Sequence, residues 1–300
     1  MPANTKTIKR RIKSIASTRK ITKAMELVAA SKMRRAIQST LATRPFAQLS
    51  WETISAVSKA TGETSHPLLE ENTQAEKTLF VLFTADRGLA GGLNTNMNKK
   101  ALAEIEAQEG TVEAVTVGKR GTLALARKDI NIIAQFEGLT NKPKFEDILP
   151  IGNLIIDMYL KGAYKKILVG YTDYISGMIQ RPKAFELLPL GKPIEELGKV
   201  AKVTEDTKEV EDQDQIEYTF EPDPKQVLDR LLPRLIETML YQALLESSAS
   251  EHSARMIAMR SATDNAGEML DELKLTYNRV RQAGITQEIA EISSGKAALE

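Results

Sequence analysis

No cysteine occurs in the 300 residues, which excludes a disulfide framework, a thiolate zinc site and a thiol redox switch. Histidine is nearly as scarce. His66 and His252 are the only two, too few for a histidine-based metal cluster. No stretch of about 18 apolar residues is present, so no helical membrane span is expected. Glycine is absent from residues 1–61 and 199–266, and 13 of its 17 copies fall between Gly88 and Gly198. Aromatic residues are missing before Phe46, and only Tyr277 follows Tyr241. Glycine supplies turns and aromatic rings fill globular cores, so the middle third reads as a folded domain and the two ends read as rods.

What is present is also unevenly spread. Apolar residues make up 42% of the chain and charged ones 27%, for a net charge of +1. Yet residues 1–50 hold twelve Lys/Arg against one acid, Glu26, and residues 195–225 hold eleven acids against four lysines. The near-neutral total is therefore a sum of opposite blocks and says little about partners.

From Ile8 the apolar or small residues run Ile12, Ile15, Thr18, Thr22, Met25, Ala29, Met33, Ala36, Ile37 and Leu41. Spacings of three and four describe one long amphipathic helix, which Pro45 is expected to bend rather than end. Fifty-five such residues would span roughly 80 Å, too long to be wrapped in a core of their own. A second stripe follows Pro222 and Pro224: Val227, Leu228, Leu231, Leu235, Met239, Ala243, Ala254, Ile257, Ser261, Leu270, Leu273, Tyr277 and Val280. Pro233 is expected to kink this helix or delay its start. The economical arrangement pairs the two ends as a long antiparallel coiled coil with the middle domain inserted. Three parts result: an N-terminal helix over 1–60, an α/β domain over 76–218 with an acidic segment near 195–217, and a C-terminal helix over 224–300 pairing with the first.

In the middle domain, strands are expected at 77–84, 112–117, 131–136 and 166–171, with an edge strand at 183–188. Helices are expected at 93–107, 122–127 and 145–161. Strand and helix alternate, which gives a parallel-type α/β sheet.

Residues 86–94 (DRGLAGGLN) follow a strand and open a helix, where phosphate loops sit. No GxGxxG occurs, however, and no Gly-Lys pair is followed by Ser or Thr, so the simpler reading is a tight strand-to-helix turn. The basic stretch from Lys6 to Lys23 allows three readings: a nucleic-acid helix, a solvated basic face, or a face held against an acidic protein partner. It also imitates a transit peptide, but the helical pattern continues past any cleavage site. His66 and His252 are expected to face solvent or cap. No Ser/His/Asp set or carboxylate pair stands out.

Residues 21–33 (ITKAMELVAASKM), 84–94 (TADRGLAGGLN), 250–265 (SEHSARMIAMRSATDN) and 278–295 (NRVRQAGITQEIAEISSG) closely resemble, in the same order, motifs of the gamma subunit family of F-type ATP synthases, of bacterial kind. Three features depart from that pattern: Lys296 where the family usually has alanine, Pro233 inside a helix normally free of proline, and a longer acidic segment. The resemblance implies an inserted Rossmann-like α/β domain on a coiled-coil shaft. It implies a central-stalk rotor that turns inside a hexamer of alpha and beta subunits and contacts the epsilon subunit and the membrane c ring. Lys23 and Met25 match the family's coupling segment. Arg255, Gln282, Thr286 and Glu288 match its polar contact positions, and Ile285, Ile289 and Ile292 its apolar tip. Catalytic, metal and cofactor residues are not implied, nor is direct binding of nucleotide or nucleic acid. The implied location is the cytoplasmic face of a bacterial plasma membrane, a source also favoured by the lack of a separate leader. Two rivals stand beside this reading: a nucleotide-using α/β enzyme with helical extensions, and a basic coiled coil that binds nucleic acid.

Overall fold

A computed structural model describes residues 5–60, 66–190 and 224–297. The acidic segment near 195–217 lies outside them. Two long helices bracket the fold, α1 (Thr5–Ala60) and α5 (Pro224–Ala297). Pro45 lies inside α1, and Pro233 lies inside α5 without delaying its start.

Between them run β1 (Thr78–Phe83), α2 (Leu93–Glu106), β2 (Val112–Val117), α3 (Lys119–Ala126), β3 (Asn131–Phe136), α4 (Leu149–Leu160), β4 (Lys166–Tyr174) and β5 (Gln180–Leu188). The five strands form one sheet in the order β3-β2-β1-β4-β5. Its first four strands are parallel, and β5 pairs antiparallel with β4. The chain steps from β1 outward to β2 and β3, then returns across β1 to β4, the doubly wound pattern. Each β1 residue is buried, as a central parallel strand covered on both faces should be. The edge strand begins earlier than its alternation suggests and takes in Pro182, which an edge strand tolerates because one side of it has no ladder.

The chain divides into two compact units. One comprises Ala29–Arg255 and the other Met1–Val28 with Met256–Glu300. In the sheet-bearing unit, Leu79, Val81, Phe83, Val169 and Tyr171 face α4 and the first part of α5, where Ile151, Ile155, Leu232, Ile236 and Leu240 complete one core. Phe80, Leu82, Ala114 and Leu168 face the opposite way, onto Met97, Ala101 and Leu125 of α2 and α3. Gly152 allows α4 to approach α5 closely, since a Cβ there would meet Glu237 Cγ at 3.0 Å. Gly118 has φ +102, and a Cβ there would lie 2.0 Å from the Thr84 carbonyl oxygen. Only glycine fits that junction.

In the helical unit α1 and α5 run antiparallel. Thr22 and Thr263 hydroxyls lie 2.8 Å apart, while Gly267, further along α5, lies against Arg19, earlier on α1. Burial is sparse: Ile8, Thr22, Met259, Thr263, Ala266 and Leu270 are the buried side chains among the described residues. From Met259 onward the contact stripe passes through Thr263 and leaves the expected Ser261 exposed.

Candidate functional site

The glycine-rich turn after β1 lies beside the point where the strand order reverses, the usual place for a ligand in such sheets. Several of its polar groups are engaged within the chain. Asp86 accepts the Lys119 N–H through Oδ1 at 3.2 Å and the Gly138 N–H through Oδ2 at 2.9 Å, and Asn94 Oδ1 accepts the Ala85 N–H at 3.1 Å. Leu89 and Gly91 adopt positive φ, which turns the backbone sharply. The carbonyl oxygens of Arg87 and Gly88 accept from Arg255 Nη2 of α5, at 3.5 and 3.3 Å. A phosphate loop presents N–H donors to an anion. This turn presents carbonyl acceptors to a guanidinium, as a structural clasp would.

Arg255 is thus held within its own chain. Its Nη1 pairs with Glu251 Oε1 at 2.7 Å, and both side chains are largely buried. The same nitrogen lies 3.5 Å from His252 Nδ1. His252 is itself buried, not solvent-facing as expected. Burial first, then the charges of Arg255, Lys32 and Arg35, pushes its pKa down to about 4, so the ring is neutral at pH 7. His66 is buried too, with Nδ1 accepting the Leu68 N–H at 3.0 Å and Nε2 lying 3.2 Å from Asp229.

Sequence reasoning missed the serine ladder just before Arg255. Ser247 Oγ accepts the Thr172 N–H at 3.3 Å, Ser248 Oγ donates to the Thr140 carbonyl at 2.6 Å, Ser250 Oγ to the Thr172 carbonyl at 3.0 Å, and Ser253 Oγ to the Gly177 carbonyl at 2.6 Å. These four bonds fix α5 to β4, to the turn between β4 and β5 and to the loop after β3. The available signal was four serines in seven helical residues, where the apolar stripe lapses between Ala243 and Ala254.

The other expected contact residues fall in the helical unit. Lys23 is exposed and pairs with Glu26 at 2.9 Å, and Met25 is half-buried. Around them Ile21, Leu27 and Val28 are exposed, apolar residues off the α1 stripe that the sequence reading passed over. Gln282 and Glu288 are exposed, and Thr286 spends its hydroxyl on the Gln282 carbonyl at 3.0 Å. Ile285, Ile289 and Ile292 stand 49%, 63% and 74% exposed along one helical face. Among the described residues no helix is long and apolar enough to cross a membrane, and no His, Cys, Asp or Glu group could hold a metal ion.

A doubly wound sheet clasped to two long helices, with apolar helix faces left uncovered, defines a subunit that works inside a larger assembly. Comparison with known proteins agrees. The family model described as ATP synthase matches residues 4–299. The ATP synthase gamma chain of Pelotomaculum thermopropionicum is 42% identical over 293 residues, covering 98% of each chain. That of Roseiflexus sp. is 40% identical over 303 residues, covering 100% of this chain and 99% of the relative. Among solved structures, the central stalk and c ring of the Tetrahymena thermophila mitochondrial ATP synthase contains a chain that matches with TM-score 0.58 and 25% identity, over 81% of this chain and 99% of that one. A chain of the Euglena gracilis mitochondrial ATP synthase has the same fold, with TM-score 0.65 and 17% identity over 98% and 94% of the two chains. The protein belongs to the ATP synthase gamma chain family. Neither the nucleotide-using enzyme nor the nucleic-acid-binding coiled coil finds support in these matches.

Proposed function

We propose that this chain is the central-stalk rotor of a proton-driven F-type ATP synthase and carries no catalytic site of its own. Its N- and C-terminal helices turn inside a hexamer of alternating alpha and beta subunits, and its α/β domain contacts the epsilon subunit and the c ring. It works as a peripheral protein on the cytoplasmic face of the bacterial plasma membrane. The observation that carries the reading is the uncovered face of Ile285, Ile289 and Ile292, on a chain whose family match runs from 4 to 299.

The mechanism follows from the need to make identical sites unequal. Switching one site between two conformations, from 1:99 to 99:1, takes about 5.5 kcal/mol of differential interaction. An asymmetric helix pair supplies that by presenting different contacts to each beta subunit as it turns. Lys23 and Met25, flanked by Ile21, Leu27 and Val28, form the contact with an acidic beta loop. Gln282, Thr286 and Glu288 make polar contacts higher on α5, and the three isoleucines run in an apolar sleeve. Arg255 serves as a positioning residue that clasps the turn after β1 to the shaft helix.

Co-expression with cognate alpha and beta subunits tests this. The expected result is a complex with one copy of this chain per three of each partner, and ATP hydrolysis that depends on its presence. A chain that elutes alone from an indifferent ATPase would refute the role.

A further inference from the structure

The geometry points to a binding site for a phosphate-class oxyanion in the sheet-bearing unit, between α1, the loop after β3 and α5. A cavity of about 210 Å³ opens there, lined among others by Lys32, Arg35, Asn141, Lys142, Lys144 and His252. Four cationic residues line it and no acidic residue does. Lys32 donates to Asn141, and the acid whose field reaches it, Glu251, pairs with Arg255 through Oε1 and keeps a buried Oε2 without a hydrogen-bond partner.

His252 supplies a second, independent sign. It is 3% exposed, and its Nε2 is buried with no hydrogen-bond partner. Its Nδ1 faces Arg255 Nη1 at 3.5 Å. A guanidinium carries donors only, so Nδ1 is the acceptor and the neutral ring bears its proton on Nε2. A buried N–H donor beside a basic cavity is unsatisfied until an acceptor arrives. Burial, followed by Arg255 and Arg87, also holds Lys32 below the usual lysine range, and an anion would relieve that crowding of like charge.

Phosphate fits these groups by number and shape. Its oxygens can accept from several cations and one neutral N–H together. The cavity is smaller than the ~300–1,000 Å³ typical of sites for drug-sized ligands, so it suits phosphate itself or the phosphoryl end of a larger molecule. Bound there, the anion would tie α1, the 141–144 loop and α5 together. The site rests on residues of this chain and not on the rotor reading.

The test is calorimetric titration of the full chain with inorganic phosphate at fixed ionic strength, with chloride as the control. Saturable binding is expected, weakened about tenfold in R35Q and in K142Q, the loss of one charged hydrogen bond. NMR of the wild-type chain gives a readout that needs no variant: the His252 Nε2–H resonance should move as phosphate is added. His252→Gln, which keeps a donor, should retain more affinity than His252→Phe. ATP forms a second arm. Competition by ATP with the same variant sensitivity assigns the site to a nucleotide's phosphoryl end, and no competition assigns it to free phosphate; both sustain the oxyanion site. Phosphate acting no better than chloride, or binding R35Q and K142Q as tightly as the wild-type chain, would overturn it. So would absence of phosphate binding together with a cross-link from Lys142 to a partner's carboxylate in the assembled complex, which would make the cavity a protein contact.

Discussion

Helix α5 has one continuous backbone and two environments. From Leu235 to Ser253 nearly every residue is buried, charged and hydroxyl side chains included. Beyond Arg255 burial shrinks to a stripe through Met259, Thr263, Ala266 and Leu270, and beyond Val280 the described side chains are exposed. The first part is fixed by a sheet core and four serine hydrogen bonds. The second is left with one neighbouring helix and then with none in this chain. Helical propensity alone sustains long exposed helices poorly, so the two parts must depend on different things: the first on this chain's own core, the second on partners.

The sharpest way to break that comparison is to damage the core. Phe80 is fully buried against α2, and Phe80→Ala should destabilise the sheet-bearing unit by about 4 kcal/mol, read as a lower midpoint in urea unfolding of the isolated chain. If Phe80→Ala unfolds at the wild-type midpoint, the sheet is not the source of stability.

A smaller effect comes from acid. The folded pKa of His252 is depressed from 6.5 to about 4, so the unfolded chain binds the proton more readily between those values. Its contribution is fully present above pH 6.5 and falls as pH drops toward 4, at a limiting slope of about 1.4 kcal/mol per pH unit. Thermal unfolding in phosphate-free buffer across that range should show the slope in the wild-type chain and a flatter one in His252→Gln. Equal slopes would contradict a buried, neutral His252.

In the helical unit the consequences shift from stability to coupling. Met25→Lys places a charge at the proposed beta contact. It should reduce ATP-driven proton pumping several-fold more than ATP hydrolysis in reconstituted vesicles, whereas equal loss of both, or of neither, would count against that contact. The smallest change in the isolated chain belongs to the tip. Ile289→Ala should alter its stability by less than about 0.5 kcal/mol while weakening its retention by the alpha–beta hexamer.

The sequence revealed periodic and local features well. The α1 stripe predicts buried Ile8, Thr22, Ala29 and Ala36 as found, and the expected strand at 77–84 encloses Thr78–Phe83. A continuous apolar run between turn signals needs no distant information to be read. Helix α3 starts three residues ahead of the expected range, at Lys119, because Gly118 makes its turn against the Thr84 carbonyl, a contact from another strand. The serine ladder and the basic cavity were not legible for the same reason. Each serine Oγ–backbone bond joins residues more than seventy positions apart, and the cavity draws on three separated segments. Ile285, Ile289 and Ile292 were legible as part of a motif, but their exposure depends on which elements of the folded chain lie against them.

The central claim is rotation, and it can be watched. With no native cysteine, Met178→Cys, at a position 85% exposed in the turn between β4 and β5, offers a single attachment point on this chain. A bead tethered there, on an alpha–beta hexamer fixed to a surface, should turn in one direction when ATP is supplied and stop when it is removed. A bead that only fluctuates, with no preferred direction, while the same complexes hydrolyse ATP would contradict the rotor account.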